Sequence, residues 1–262
     1  MTSRLWLLGV LARICFFNVN TNNSIIEDWC NVNGLILNKD KTQTLEFGLN
    51  RRLDQSVNFL GLRLDNRLSW LSHIKDLIPK LTSCSYMIRR LKSSVSPGVL
   101  LSVYHACFAS RASYCIALWG NSSHTIEVFR LQKRVIRILA SLSWAESCRS
   151  AFKDLGVLTI PSMYALAVLT LVKSNLARLP TASSIHNYNT RSKNDLQIPF
   201  TRLTTSMNND PFRVGSRLFN AIPEHIRLLP VNTFKATIKR HLLSAELYSL
   251  DEFANIQWGG TR

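Results

Sequence analysis

The sequence predicts a mainly α fold with a small β-hairpin near the N-terminus, so the class is α+β with helices dominant. The two-residue alternation of strands occurs in residues 42–47 and 57–64. After Trp70, apolar residues recur instead at the three- and four-residue spacing of helices. The chain has 262 residues, of which 46% are hydrophobic and 18% charged, enough for one domain or two small ones.

The N-terminal part contains turn residues, one predicted helix and both predicted strands. The Asn-rich residues 18–24 are typical of turns, and Ser24 is expected to cap a helix over residues 25–32. Asn33 and Gly34 then end that helix. Gly61, inside the second strand run, indicates a bend or a close approach of another backbone.

Three helices are predicted in the middle of the chain. The first carries an apolar face from Ile74 to Leu91, and Pro79 must either kink it or lie near its start. The second opens at Ser96-Pro97, a cap followed by a first-turn proline, and continues to Gly120. The third extends from about Thr125 to Leu142.

The third helix has two contrasting faces. One stripe is apolar, which predicts that this side packs on the core. Another stripe is cationic, and only Glu127 is near enough in sequence to neutralise it. The apolar stripe comprises Val128, Leu131, Val135, Ile138, Leu139 and Leu142, and the cations are Arg130, Lys133, Arg134 and Arg137.

The C-terminal part predicts further helices separated by one polar segment. We expect helices at residues 147–155, 162–177, 212–221 and 233–247. Residues 178–211 are rich in Ser, Thr and Asn and are interpreted as a long loop or linker.

The charge of the chain is strongly positive and unevenly distributed. Lys and Arg number 32 against 16 for Asp and Glu, which gives a net charge of +16. Residues 51–150 hold fifteen basic and five acidic side chains, an excess of ten. Such a surplus favours a polyanionic partner, either nucleic acid or an anionic membrane.

A membrane role is disfavoured by the apolar segments. The run at residues 5–17 is too short to span a bilayer, and the run at 155–172 is cut by Gly156 and Pro161. The basic helix also lacks the Trp and Phe anchors expected opposite its charges in a membrane-surface helix. We therefore expect no membrane partner.

Residues for metal binding or independent catalysis are not arranged in a recognisable pattern. The six cysteines lie in apolar stretches without a C-x-x-C motif, and are predicted to be buried reduced thiols. His105 and Cys107 are two residues apart, so on a helix their side chains would point in different directions. No two aspartates are adjacent anywhere in the chain.

Several short motifs follow one another along the chain in a fixed order. They are WCNVNGLILNKDKT at residues 29–42, FLGLRLD at 59–65, LSW at 68–70 with HI at 73–74, Tyr114 with Trp119-Gly120, YNTR at 188–191 and FNAIP at 219–223. Their order and spacing resemble the end of the palm and the thumb of a non-LTR (LINE-type, jockey-like) retrotransposon reverse transcriptase. The resemblance extends over roughly residues 25–253.

This resemblance implies a partial palm remnant, a helical thumb and a helical C-terminal region. The implied domains are an unassigned segment at 1–24, the palm end with a primer-grip-like hairpin at 25–67 and a basic thumb-like domain at 68–146. A helical extension at 147–177, a polar linker at 178–211 and a C-terminal helical region at 212–262 follow.

The resemblance also implies roles for individual residues. Asn38 and Lys41 would lie near the leaving pyrophosphate, although a solvated lysine in a turn explains Lys41 equally well. Phe59, Leu60 and Gly61 would form a primer grip, or else an ordinary strand bend. The cations expected to bind nucleic acid are Arg89, Arg90, Lys92, Arg130, Lys133, Arg134 and Arg137.

Catalysis is not expected from this chain on its own. In the family, carboxylates of an aromatic-Ala-Asp-Asp turn and of an earlier strand hold two Mg²⁺ ions, and both lie upstream of the position matched by Trp29. We therefore expect no catalytic residue, no metal ligand and no cofactor here.

Two functions remain open. The first is a polymerase fragment that binds RNA or an RNA/DNA hybrid. The alternative is a domesticated nucleic-acid-binding or scaffold protein without a role in transposition. Either would work in the nucleus or cytoplasm, and the oligomeric state is left open.

Overall fold

The computed structural model describes residues 19–43, 45, 47, 55–181, 194–198 and 210–259, with the backbone alone at residues 19–23. The chain divides into two compact units, residues 1–68 and 69–262. Helices dominate, and the sheet among the described residues has two strands. The predicted fold class is therefore confirmed.

The described residues of the N-terminal unit form one helix, a 3₁₀ turn and a hairpin. Helix α1 covers Val19–Val32, the 3₁₀ turn Lys39–Lys41, strand β1 Ser56–Phe59 and strand β2 Leu62–Asp65. The strands are antiparallel, with Ser56 opposite Asp65 and Phe59 opposite Leu62. Gly34 follows α1 with a φ of +67°, and this left-handed residue lets the Leu35 amide donate back to the Cys30 carbonyl.

Two predictions for this unit were wrong. Helix α1 begins at Val19, so Ser24 lies inside it rather than capping it, because the helix penalty of Asn is too small to impose a turn. Residues 57–64 form a whole hairpin rather than one strand. Leu60 and Gly61 have φ values of 50° and 82°, and positive φ at both central residues is typical of tight hairpin turns.

The other predicted strand, residues 42–47, is also not observed. Thr42, Gln43, Leu45 and Phe47 belong to no strand, and positions 44 and 46 lie outside the described residues. The strand opposite β1 is its immediate neighbour β2, and the described residues of the earlier run belong to neither strand.

The helices and turns named below make up the regular structure of the C-terminal unit, apart from one isolated bridge, among its described residues. Its α-helices are α2 Leu71–Leu91, α3 Pro97–Val103, α4 Ser110–Ala112, α5 Ile116–Trp119, α6 Thr125–Leu139, α7 Arg149–Asp154, α8 Ile160–Ser174, α9 Pro211–Asn220, α10 Glu224–Arg227 and α11 Val231–Ala245. A π-helical segment, Tyr104–Ala109, joins α3 to α4, and 3₁₀ turns occupy Leu176–Arg178 and Asp251–Asn255. Pro79 lies on the exposed side within α2, which continues past it.

The predicted continuous helix from Pro97 to Gly120 is broken in two ways. The helix widens at Tyr104–Ala109 and stops after α4, where Cys115 adopts a left-handed φ of 49°. The Trp119 indole donates to the Tyr114 carbonyl at 3.0 Å and so satisfies a backbone group in the break. As a result Cys115 is exposed and Cys107 half-buried, so the prediction of buried thiols was wrong for these two. It is confirmed for Cys30, Cys84 and Cys148, whereas Cys15 lies outside the described residues.

Helix α8 forms the centre of the core. It packs against α5, α6, α9 and α11, and eight of its fifteen residues are buried. Gly215 permits the close approach of α9, because a Cβ there would lie 2.9 Å from the Val168 carbonyl oxygen. The apolar run at 155–172 is thus a buried segment, as predicted. Among the described residues no helix is long and apolar enough to cross a membrane.

A buried glutamine fixes α6 in this core. Gln132 is fully buried, and its Nε2 donates to the Tyr104 hydroxyl at 3.0 Å and to the Leu158 carbonyl at 2.9 Å. Its Oε1 accepts from the Ile160 amide at 2.9 Å. Burial raises the pKa of Tyr104, so this hydroxyl stays protonated. Gln132 therefore sets the rotation of α6 and, with it, the direction of the opposite face.

The polar segment 178–211 is tied to the core at its described positions. Thr181 pairs with Leu196, and the Asn220 side chain exchanges two hydrogen bonds with the Leu196 backbone, at 2.9 and 2.8 Å. These described residues of the predicted loop or linker are therefore held in place by α9. The YNTR motif at 188–191 lies outside the described residues.

Candidate nucleic-acid interface

Helix α6 has one buried and one exposed face. Val128, Leu131 and Val135 lie on the buried side, where α2, α3, α7 and α8 pack against the helix. At 100° per residue, positions 130, 133, 134 and 137 fall within one arc on the opposite side. The structure therefore brings the four predicted cations together on one face, which we call the cationic face.

Two members of the cationic face are available for an external ligand. Arg130 and Arg134 are exposed, and within the described part of the chain neither makes a hydrogen bond or an ion pair. Glu127, the acidic residue of α6, likewise forms no ion pair with any described residue. The two guanidinium groups therefore have no ion-pair partner among the described residues.

The other two members are half-buried and contact neutral groups. Lys133 Nζ lies 4.8 Å from the ring centroid of Phe129 and 5.4 Å from that of Tyr248. Arg137 Nε donates to the backbone carbonyl of Glu146 at 3.0 Å. Rings and carbonyls orient a cation without cancelling its charge, so Lys133 and Arg137 still add to the positive potential.

Tyr248, from the C-terminal region, contacts Lys133 of the cationic face. No sequence pattern pointed to this residue. Its ring meets Phe129 edge-on at 5.0 Å between centroids, while the Arg149 guanidinium lies 4.7 Å from the ring centroid. Burial and, to a smaller extent, the Cys148 thiol raise the pKa of Tyr248, so it carries no negative charge here. Arg149 is paired with Glu252 and adds little net charge.

The second predicted group of cations lies at the end of α2. Arg89 and Arg90 occupy its last turn and Lys92 follows, and all three side chains are exposed. Helices α2 and α6 pack against each other, so both groups belong to the same unit. Cations at a helix C-terminus also stabilise the helix dipole, which is a sufficient reason for Arg89 and Arg90 to be there.

Asn38 and Lys41 lie in the N-terminal unit, on the 3₁₀ turn. The Asn38 side chain accepts from the Lys41 amide at 3.1 Å and so caps the turn. Lys41 is exposed. This geometry accounts for Asn38 by local structure, and a role near pyrophosphate remains a prediction.

Phe59, Leu60 and Gly61 form the end of β1 and the turn of the hairpin. Leu60 projects from this turn with 52% of its surface exposed. The left-handed Leu60 and Gly61 also suit an ordinary tight hairpin turn. The role of these three residues also remains a prediction.

The metal-ligating side chains of the described residues are dispersed. Among the described residues no group of three or more His, Cys, Asp or Glu side chains could hold a metal ion. The described side chains therefore do not fit the Mg²⁺ pair that the resemblance implies for the complete enzyme.

Comparison with known proteins gives one informative similarity. The chain is 23% identical over 151 residues to a protein described as a probable RNA-directed DNA polymerase from transposon X-element of Drosophila melanogaster. The match covers 51% of this chain and 17% of that protein. No family model and no solved structure matches the chain. About half of the chain is thus distantly similar to a small part of a transposon polymerase.

Proposed function

We propose that this chain is part of a non-LTR retrotransposon reverse transcriptase, comprising the palm end and the thumb, and that it binds RNA or an RNA/DNA hybrid. The distant similarity to a transposon polymerase supports the origin. The observation that carries the binding role is the cationic face, where Arg130 and Arg134 are exposed and have no ion-pair partner among the described residues.

The arrangement differs from that of an ordinary solvated helix face. Solvated faces usually interleave acids and bases at three- or four-residue spacing, because such pairs offset repulsion. Helix α6 instead has four cations and Glu127. Repulsion of this kind is relieved when phosphates lie between the cations, and guanidinium groups match phosphate geometry well.

The other predicted site residues extend the proposal. Arg89, Arg90 and Lys92 would add phosphate contacts from α2. In the N-terminal unit, Asn38 and Lys41 would lie near pyrophosphate, and Phe59 to Gly61 near a primer end, in the complete enzyme. These assignments rest on the resemblance.

We predict that the purified chain binds RNA and RNA/DNA hybrid with steep salt dependence. If each of the four cations displaces about one counterion, the logarithm of the association constant K for RNA should fall by at least roughly 3 units per tenfold increase in salt concentration. Fluorescence anisotropy from low to physiological salt would measure the slope. Salt-insensitive binding, or none, would reject the proposal and favour a scaffold role.

We also predict that the chain alone does not extend a primed RNA template. Two-metal polymerisation requires carboxylates held together, and the sequence contains no adjacent aspartates. The measurement is nucleotide incorporation with Mg²⁺ or Mn²⁺ present. Template-dependent incorporation by highly purified protein would contradict this assignment.

A further inference from the structure

Trp144 stands out among the tryptophans of the C-terminal unit. It lies in the loop between α6 and α7, and 87% of its surface is exposed. Trp70 and Trp119 in the same unit are buried. Within the described residues the Trp144 ring makes no aromatic or cation–π contact. Most of the indole surface is therefore accessible to an external ligand.

The loop around Trp144 is fixed by hydrogen bonds on both sides. The Leu142 amide donates to the Arg137 carbonyl at 2.9 Å, and the Ser143 amide donates to Glu146 Oε2 at 2.8 Å. The Glu146 carbonyl in turn accepts from Arg137 Nε at 3.0 Å. Arg137 thus holds both ends of the loop, which places Trp144 at the C-terminal end of the cationic face.

An exposed indole in the loop that follows the cationic face can join two kinds of contact. The indole can stack on a planar ring, and the guanidinium groups can bind phosphates. A ligand that supplies both is a nucleotide whose base is free to stack. Bases inside a duplex are stacked on each other and present no free face, whereas those of single strands, loops and overhangs do.

We propose that Trp144 is a stacking platform for an unpaired nucleobase, and that the cationic face holds the phosphates of the same strand. This deepens the proposed function by assigning single-stranded segments as the preferred ligand, and it rests on that function. An exposed tryptophan could also anchor a protein partner. The cationic face, to which Arg137 connects this loop, favours a polyanionic strand instead.

The test compares Trp144→Ala, Trp144→Tyr and the control Leu228→Ala. Leu228 is 75% exposed in the same unit, so its truncation removes a comparable isolated apolar group. The probes are a short single-stranded RNA, the same sequence as DNA, and the RNA annealed to its complement. Trp144→Ala should weaken binding of both single strands about tenfold, since one stacked base is lost. Trp144→Tyr should retain most of the affinity, because a phenol ring also stacks.

Two further readouts separate stacking from charge. Trp144→Ala should leave duplex affinity and the salt slope unchanged, because an indole displaces no counterion. A single strand that carries 2-aminopurine should lose fluorescence on binding wild type, and less on binding Trp144→Ala. If wild type and Trp144→Ala bound the single strands with equal affinity, the stacking role would be overturned. The same holds if Trp144→Ala lost as much affinity for the duplex as for the single strands. If wild type bound no nucleic acid in a salt-dependent manner, the proposed function itself would fail.

Discussion

Replacing Gln132 with Leu is expected to lower the free energy of unfolding by about 3 kcal/mol. The glutamine is fully buried and bonds to the Tyr104 hydroxyl, the Leu158 carbonyl and the Ile160 amide. Leucine fits the volume but leaves these polar groups without that partner, and each buried unsatisfied group costs roughly 1–3 kcal/mol. Urea unfolding followed by circular dichroism would measure the change.

Tyr104→Phe is the matched control for the glutamine. It removes one of the three bonds and leaves the other two, so we expect a loss of only about 1 kcal/mol. Gln132→Leu with wild-type stability would show that the buried bonds do not hold α6. Because the network fixes the rotation of α6, Gln132→Leu should also weaken RNA binding at temperatures where the variant remains folded.

The faces of α6 could be predicted from the sequence, but the details of the interface could not. The 3.6-residue period placed Val128 and Val135 inside and Arg130 and Arg134 outside, as observed. Periodicity does not reveal that Gln132 finds its partners 26 and 28 residues away. Those contacts depend on tertiary packing.

The sequence also could not predict that the four cations differ in their local contacts. Spacing alone made them equivalent, yet Lys133 contacts the Tyr248 ring and Arg137 holds the loop carbonyl of Glu146. Tyr248 lies far along the chain, with no spacing signal that connects it to α6. The pattern therefore predicted a common face but did not show which of its cations make local contacts.

Local backbone geometry explains the errors in secondary structure. The alternation through residues 57–64 is that of strands, and a Leu-Gly turn inside it interrupts the pattern very little. Residues 97–119 likewise keep a helical pattern although the backbone widens at Tyr104–Ala109 and breaks at Cys115. Side-chain period reports which face is buried and is less informative about where the backbone turns.

Replacing Arg130, Lys133, Arg134 and Arg137 together with Gln is expected to flatten the log–log salt dependence of RNA binding by roughly 3–4 units. All four cations lie on the cationic face of α6, as exposed or half-buried side chains, and each would neutralise about one phosphate. The loss should show little sequence selectivity, because phosphate contacts carry none. Lys133 and Arg137 also support Tyr248 and the loop, so a fluorescence or unfolding check must accompany this variant.

A smaller variant avoids that complication. Arg130→Gln with Arg134→Gln removes two cations that make no hydrogen bond or ion pair within the described residues, so the fold should be unaffected. The control is Lys235→Gln with Lys239→Gln, which removes the same charge from exposed positions on α11. Both pairs remove two positive charges, and they differ in position and in whether arginine or lysine is replaced.

The most direct measurement is the slope of log K against log salt for RNA binding by wild type and these two double variants. If the cationic face contacts phosphates, the Arg130 and Arg134 variant should flatten the slope by roughly 1.5–2 units. The Lys235 and Lys239 control should retain the wild-type slope. Superimposable slopes for all three proteins would contradict the account and show that α6 is only a solvated surface.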